Sequence, residues 1–224
     1  MRRSTVILSA ICLILFIFTS VISFCLLLKI NKLELHHVEK YEKYSYAYDC
    51  IKEAELSYWD TKAELTNEIQ NYIDKVAPTS NLRGYAIVEE CEKYNVDICF
   101  VLAQGEIESH FGTTGVAAKT NMVWNVGAFD GKSAEAIIKD GDCNIHPNES
   151  IGVYLEELMT NWMVNKTEYD LMQKYVNTSG KRYASNPNYE IILQDKYNKI
   201  LESTRIQELS KILKNYAIKC GRNG

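Results

Sequence analysis

Clustered positive charge is missing from this sequence. No run of Lys or Arg exceeds two residues, and the formal net charge is −4 over 224 residues. The basic stripe that tracks a phosphate backbone is therefore absent, which argues against nucleic acid as a partner. The chain also lacks a CxxC pair or a His/Cys cluster, so there is no framework for structural zinc. The turn Asp140-Gly141-Asp142 has neither the alternating ligands nor the closing Glu of an EF-hand. No metal or organic cofactor is expected. Period-two alternation, internal repeats and low-complexity tracts are lacking too. The expected fold class is all-α, with at most a small β-hairpin near Asp130. Of the seven cysteines, Cys91, Cys99, Cys143 and Cys220 fall in the expected domain, and free buried thiols are the default reading.

Charge is also absent from residues 4–28, a run rich in Ile, Leu, Phe and Val that follows Arg2-Arg3 and precedes Lys29. It exceeds the ~20 residues needed to cross a bilayer. Its exit, Ser23-Phe24-Cys25-Leu26, carries side chains too large for a signal-peptide cleavage site. Residues 1–29 are therefore read as a retained transmembrane signal anchor. The two arginines of the short N-terminus place it in the cytoplasm, with the rest of the chain outside.

Residues 30–77 contain no Gly, and no Pro before Pro78 to break a helix. Apolar and aromatic residues recur there without a strict heptad, which predicts a helical stalk that packs partly on the domain. Self-association through that stalk stays open. Ala77-Pro78-Thr79-Ser80-Asn81 is a stop and restart signal, so the domain is expected over 78–224. At 46% hydrophobic content the chain can bury one core of ~150 residues plus accessory segments. Helices are predicted over 82–94, 98–109, 133–139, 147–164, 168–176, 188–201 and 206–218.

The stretch 98–129, ICFVLAQGEIESHFGTTGVAAKTNMVWNVGAF, stands out. Its first half projects apolar side chains on nearly every side of a 3.6-residue period, which predicts an interior helix. Two acids interrupt it. At ~100° per residue Glu106 and Glu108 face nearly opposite ways and cannot share one task. Glu106 reads as structural or solvated. Glu108 leaves the helix through a mostly apolar wall beside Gly105, where burial should raise its pKa and keep a proton available for general-acid work. A structural Glu held by the following loop is the alternative.

The run AQGEIESHFGT, followed by a loop with Asn, an aromatic and NVG, resembles the peptidoglycan endo-β-N-acetylglucosaminidases of glycoside hydrolase family 73, found in flagellar muramidases and autolysins. Their pattern reads roughly AQxxLESxWG, then NNLFGIKG. A second match, GKRYASNPNYEIIL over 180–193, is similar to the family's GxYATDPxYxxKL. Together the matches span about residues 80–203, more than half the chain. The resemblance implies a lysozyme-like α-helical domain that cuts the glycan strands of peptidoglycan. The family's longer lobe with its Thr-x-Glu-Tyr segment is absent here.

Cleavage of a glycosidic bond needs a proton donor at the leaving oxygen and a group that manages positive charge at the anomeric carbon. Glu108 is the expected acid. Glu149, Asp130 and Glu135 are candidates for the second carboxylate, with Glu149 favoured by the helix-like run that follows it. Its alternative reading is an acid at a helix N-terminus. Tyr183 matches a family tyrosine beside the acid. Gln104, Asn121, Trp124 and Asn125 are expected to bind substrate, Asn125 through an acetamido group and Trp124 by stacking on a pyranose. A lytic transglycosylase, or a catalytically idle wall-binding protein, stays open. Its Tyr, Asn, Lys and Ile content fits an AT-rich genome, bacterial or phage.

Overall fold

The computed structural model describes residues 2–126, 145–219 and 221, and side chains from residue 18 onward. The described residues are helical and contain no strand; Val176 and Arg182 form an isolated antiparallel bridge. The expected helix at 133–139, the hairpin near Asp130 and the turn at 140–142 lie outside the described residues, as do Cys143 and Cys220. Cys91 and Cys99 are buried free thiols.

The first helix, α1, runs unbroken over Arg2–Val76. It stops where Pro78 forces Ala77 out of helical geometry, and a tight turn follows in which the Ser80 N–H donates to the Ala77 carbonyl at 2.9 Å. The chain divides into two compact units, 1–53 and 54–224. Among the described residues no helix is long and apolar enough to cross a membrane. Residues 4–17 of the expected span have no described side chains.

The second unit begins at Ala54, well before the boundary expected at residue 78. The reason lies in the last turns of α1. Leu65, Ile69 and Ile73 recur every four residues and are fully buried, with Tyr58 and Tyr72 on the same side. They enter the core rather than cover it. The following helix, α2 (Gly84–Tyr94), meets α1 at backbone distance: a Cβ on Gly84 would lie 2.5 Å from the Thr66 carbonyl oxygen. The Gly84 N–H instead donates to Gln70 Oε1 at 2.9 Å. Asn95, in the left-handed region at φ 53°, closes α2.

Helix α3 (Ile98–Ser109) is the interior rod. Asp97 caps it by accepting from the N–H groups of Cys99 and Phe100. Every residue from Ile98 to Glu106 is buried. It packs against α2, α7 (Tyr189–Ser203) and α8 (Ile206–Lys219). Between these elements lie the short α4 (Ala117–Thr120), α5 (Ser150–Glu157) and α6 (Glu168–Gln173). The long helix expected over 147–164 does not stay α-helical. After Glu157 it widens into a π turn, Leu158–Trp162, closed by the Met163 N–H donating to the Leu158 carbonyl at 2.9 Å.

Candidate functional site

Glu108 sits in the last turn of α3, one residue before the helix ends. His110 and Phe111 then take left-handed φ values of 50° and 53°, and the chain turns away. Ser109, its neighbour, is buried and donates from Oγ to the Val123 carbonyl at 2.5 Å while accepting the Gly112 N–H at 2.8 Å. That hydroxyl clips the 121–126 loop to the helix end. Trp124 supplies a second clip. Its ring lies over Gly105, where a Cβ would come within 3.1 to 3.2 Å of the indole, and its Nε1 donates to the Val101 carbonyl. A side chain at 105 would press on the indole and push it back by a few tenths of an ångström.

With the loop held, Asn125 adopts φ 52°, a conformation Asn tolerates better than most residues. Its Nδ2 donates to the Glu108 backbone carbonyl at 2.8 Å and reaches Glu108 Oε2 at 3.4 Å. The carbonyl contact fixes the amide's orientation, since the reverse would set two acceptors against each other. Asn125 Oδ1 is left buried without a partner. On the other side, Tyr189 donates to Glu108 Oε1 at 2.5 Å. Burial raises the Glu108 carboxyl above its ordinary value. The hydrogen bonds of Tyr189, Asn125 and Tyr183 oppose that rise without cancelling it.

The carboxylate faces a cleft of about 770 Å³. Asn125, Tyr183 and Tyr189 line it with Glu108, joined by Glu157, Trp162, Lys181 and Arg182. Tyr183 stacks on Tyr175 at 4.3 Å between ring centroids, and Trp162 meets it edge-on at 5.1 Å. The backbone there is tied down as well. The Tyr183 N–H donates to the Tyr175 carbonyl, Arg182 pairs with Glu190 at 2.5 Å, and Asn186 Oδ1 accepts from the Asn188 N–H to open α7. This Asn186-Pro187 turn presents Tyr189 as well as following Tyr183.

Of the residues expected to form the site, the structure gathers Glu108, Tyr183 and Asn125 into one cleft. It puts four others elsewhere. Gln104 is fully buried and holds the phenols of Tyr154 and Tyr175 from behind the cleft, out of reach of any ligand. Trp124 is 1% exposed and stacked on Tyr154 at 5.1 Å, so no face is left for a sugar. Asn121 caps α4 with a left-handed φ of 60° and points to solvent. Glu149 is exposed at the start of α5, accepting from the His146 N–H at 3.3 Å. It is an acid at a helix N-terminus, the alternative the sequence left open. Asp130 and Glu135 lie outside the described residues.

Glu106 is structural. Tyr72 donates to one of its carboxylate oxygens and Lys196 pairs with the other at 2.5 Å. Tyr189, Glu157, Trp162, Lys181 and Arg182 line the cleft without having been assigned to it from the sequence. Tyr189 was within sight, being the second tyrosine of YASNPNY. Trp162 and Glu157 were not, because their orientation depends on the π turn. Among the described residues no three His, Cys, Asp or Glu side chains converge as a metal site would require. No family model matches the chain, and neither a curated protein nor a solved structure matches it.

Proposed function

We propose that this chain is a peptidoglycan hydrolase that cuts β-1,4 bonds of the wall glycan at N-acetylglucosaminyl units, with Glu108 as general acid in a lysozyme-like helical domain. One observation carries the reading: the Glu108 carboxyl, whose burial raises its affinity for a proton, opens onto a cleft. Its volume falls within the ~300–1,000 Å³ typical of small-molecule sites. A buried acid that faces a cavity can deliver its proton to a leaving glycosidic oxygen. Tyr189 and Asn125 then hold the carboxylate that remains.

Aromatic surface supports a sugar beside Glu108. Trp162 and Tyr183 offer half-buried aromatic surface in the same cleft, where a pyranose face can stack. Residues 1–29 would anchor the chain in the membrane with its N-terminus in the cytoplasm, which sets the cleft on the wall side, within reach of peptidoglycan strands. A lytic transglycosylase is the second reading. It is favoured by Glu149 lying outside the cleft, since that reaction needs one acid and uses the substrate's own hydroxyl.

Digestion of purified sacculi by the full chain in detergent tests both. The wild type is expected to release muropeptides with a reducing N-acetylglucosamine end, and Glu108→Gln to release at least ~100-fold fewer, the lower end of what general-acid catalysis contributes. Anhydro-muropeptides would assign the transglycosylase instead. Undiminished release by Glu108→Gln would remove the proposed acid.

A further inference from the structure

The hydrolase reading leaves the developing charge at the anomeric carbon, and the water that must attack it, without a protein partner. The π turn supplies one. At ~100° per residue, an α-helix would turn Glu157 and Trp162, five positions apart, roughly 140° from each other. The widened turn over Leu158–Trp162 instead lets both line the cleft that holds Glu108. π turns of this kind occur frequently at functional sites. Glu157 is half-buried, and Asn161 Nδ2 donates to its Oε2 at 2.7 Å, which holds the carboxylate at one oxygen. It stands one turn after Tyr154, whose ring stacks on Trp124, next in sequence to the Asn125 that grips the acid. Tyr175, whose phenol burial pushes up first, also feels the charges of both Glu108 and Glu157. The two acids therefore share one electrostatic neighbourhood while being carried on different helices.

We infer that Glu157 is the second carboxylate of this cleft, the base that takes a proton from the attacking water. The inference rests on the hydrolase reading. As water oxygen bonds to the anomeric carbon, the glycosidic C–O bond breaks and its electron pair takes the Glu108 proton. Glu157 accepts the proton that water loses. Exchange with solvent returns the proton to Glu108, and no oxidant, reductant or metal is required. A carboxylate base activating water gives inversion at the anomeric carbon.

The test uses the full chain in detergent on purified sacculi, with Glu157→Gln for the rate and Glu157→Ser with added sodium azide as replacement nucleophile. Expected are a loss of at least ~100-fold in Glu157→Gln with an unchanged melting transition, and recovery of Glu157→Ser by azide with an α-glycosyl azide as product. A Glu157→Gln rate within about threefold of wild type overturns the inference. So does a loss that azide does not rescue, or a pair of variants that no longer melt cooperatively, either of which assigns Glu157 to the fold. Wild-type protein that releases nothing from sacculi overturns the hydrolase reading itself, a result separable from any of these.

Discussion

At the scale of single residues, the site depends on opposed influences on one carboxyl. Burial lifts Glu108, and the phenol of Tyr189 pulls it back by donating to the ionised form. The sign of a Tyr189→Phe change follows. Losing a donor to the carboxylate disfavours ionisation, so the carboxyl stays protonated to higher pH. On the proposed hydrolase reading, the alkaline fall in kcat/KM, where the general acid is lost, is therefore expected at higher pH in Tyr189→Phe than in the wild type. A rate profile from pH 4 to 9 measures it, and a limb that moves down or stays fixed would remove Tyr189 from the acid's environment. Glu108 itself was legible in the sequence, because an acid on a helix apolar all round has few reasons to be there. The tryptophan was not. Trp124 and Trp162 both carry aromatic surface, and only packing decides which is sealed beneath the loop. Trp124 lies against Gly105 and stacks on Tyr154, contacts nineteen and thirty residues away in sequence that periodicity does not register.

At the scale of elements, the end of α1 belongs to the core. Beyond Leu65, Ile69 and Ile73, polar ties bind it to its neighbours: Lys62 pairs with Glu92 of α2 at 2.7 Å, Tyr58 donates to the same carboxylate, and Glu64 meets Arg205 before α8 at 2.6 Å. Deleting residues 1–53 is expected to leave a unit that melts cooperatively. Deleting 1–77 removes three fully buried aliphatic side chains, each worth ~2–5 kcal/mol on truncation, which exceeds the margin of most domains. Circular dichroism melts of the two truncated chains test this, and a stable 78–224 fragment would contradict it. Sequence patterning read the helix correctly and its allegiance less well. Apolar spacings of three and four residues fit a stalk and a core wall alike until the partner helix is known. The π turn was illegible for a related reason. Run 147–164 has α-helical periodicity throughout, whereas Trp162 in the π turn meets Tyr175, a residue outside that run, edge-on at 5.5 Å.

At the scale of the whole compact unit, all-α character was the most legible property, since no stretch alternates with period two. Less visible was a buried ionic knot that joins three distant helices. Glu106 of α3 binds Tyr72 of α1 and Lys196 of α7, with its own carboxylate 7% exposed and the lysine 24%. Removing the cation alone leaves an acid sealed in without its charge partner. Lys196→Met is expected to cost roughly 2–4 kcal/mol, near the range for breaking a buried pair and reduced by the lysine's partial exposure. Urea unfolding of that variant measures it, and a change below about 0.5 kcal/mol would mean that water already compensates Glu106.

The two clips on the 121–126 loop have a consequence for divergence. Ser109, Gly105, Trp124, Asn125 and Tyr189 hold Glu108 and its loop in one linked set of contacts. Such positions cannot drift one at a time: a bulkier residue at 105 that displaced the indole would also loosen the neighbouring Asn125 amide, so the set is expected to change in concert or not at all.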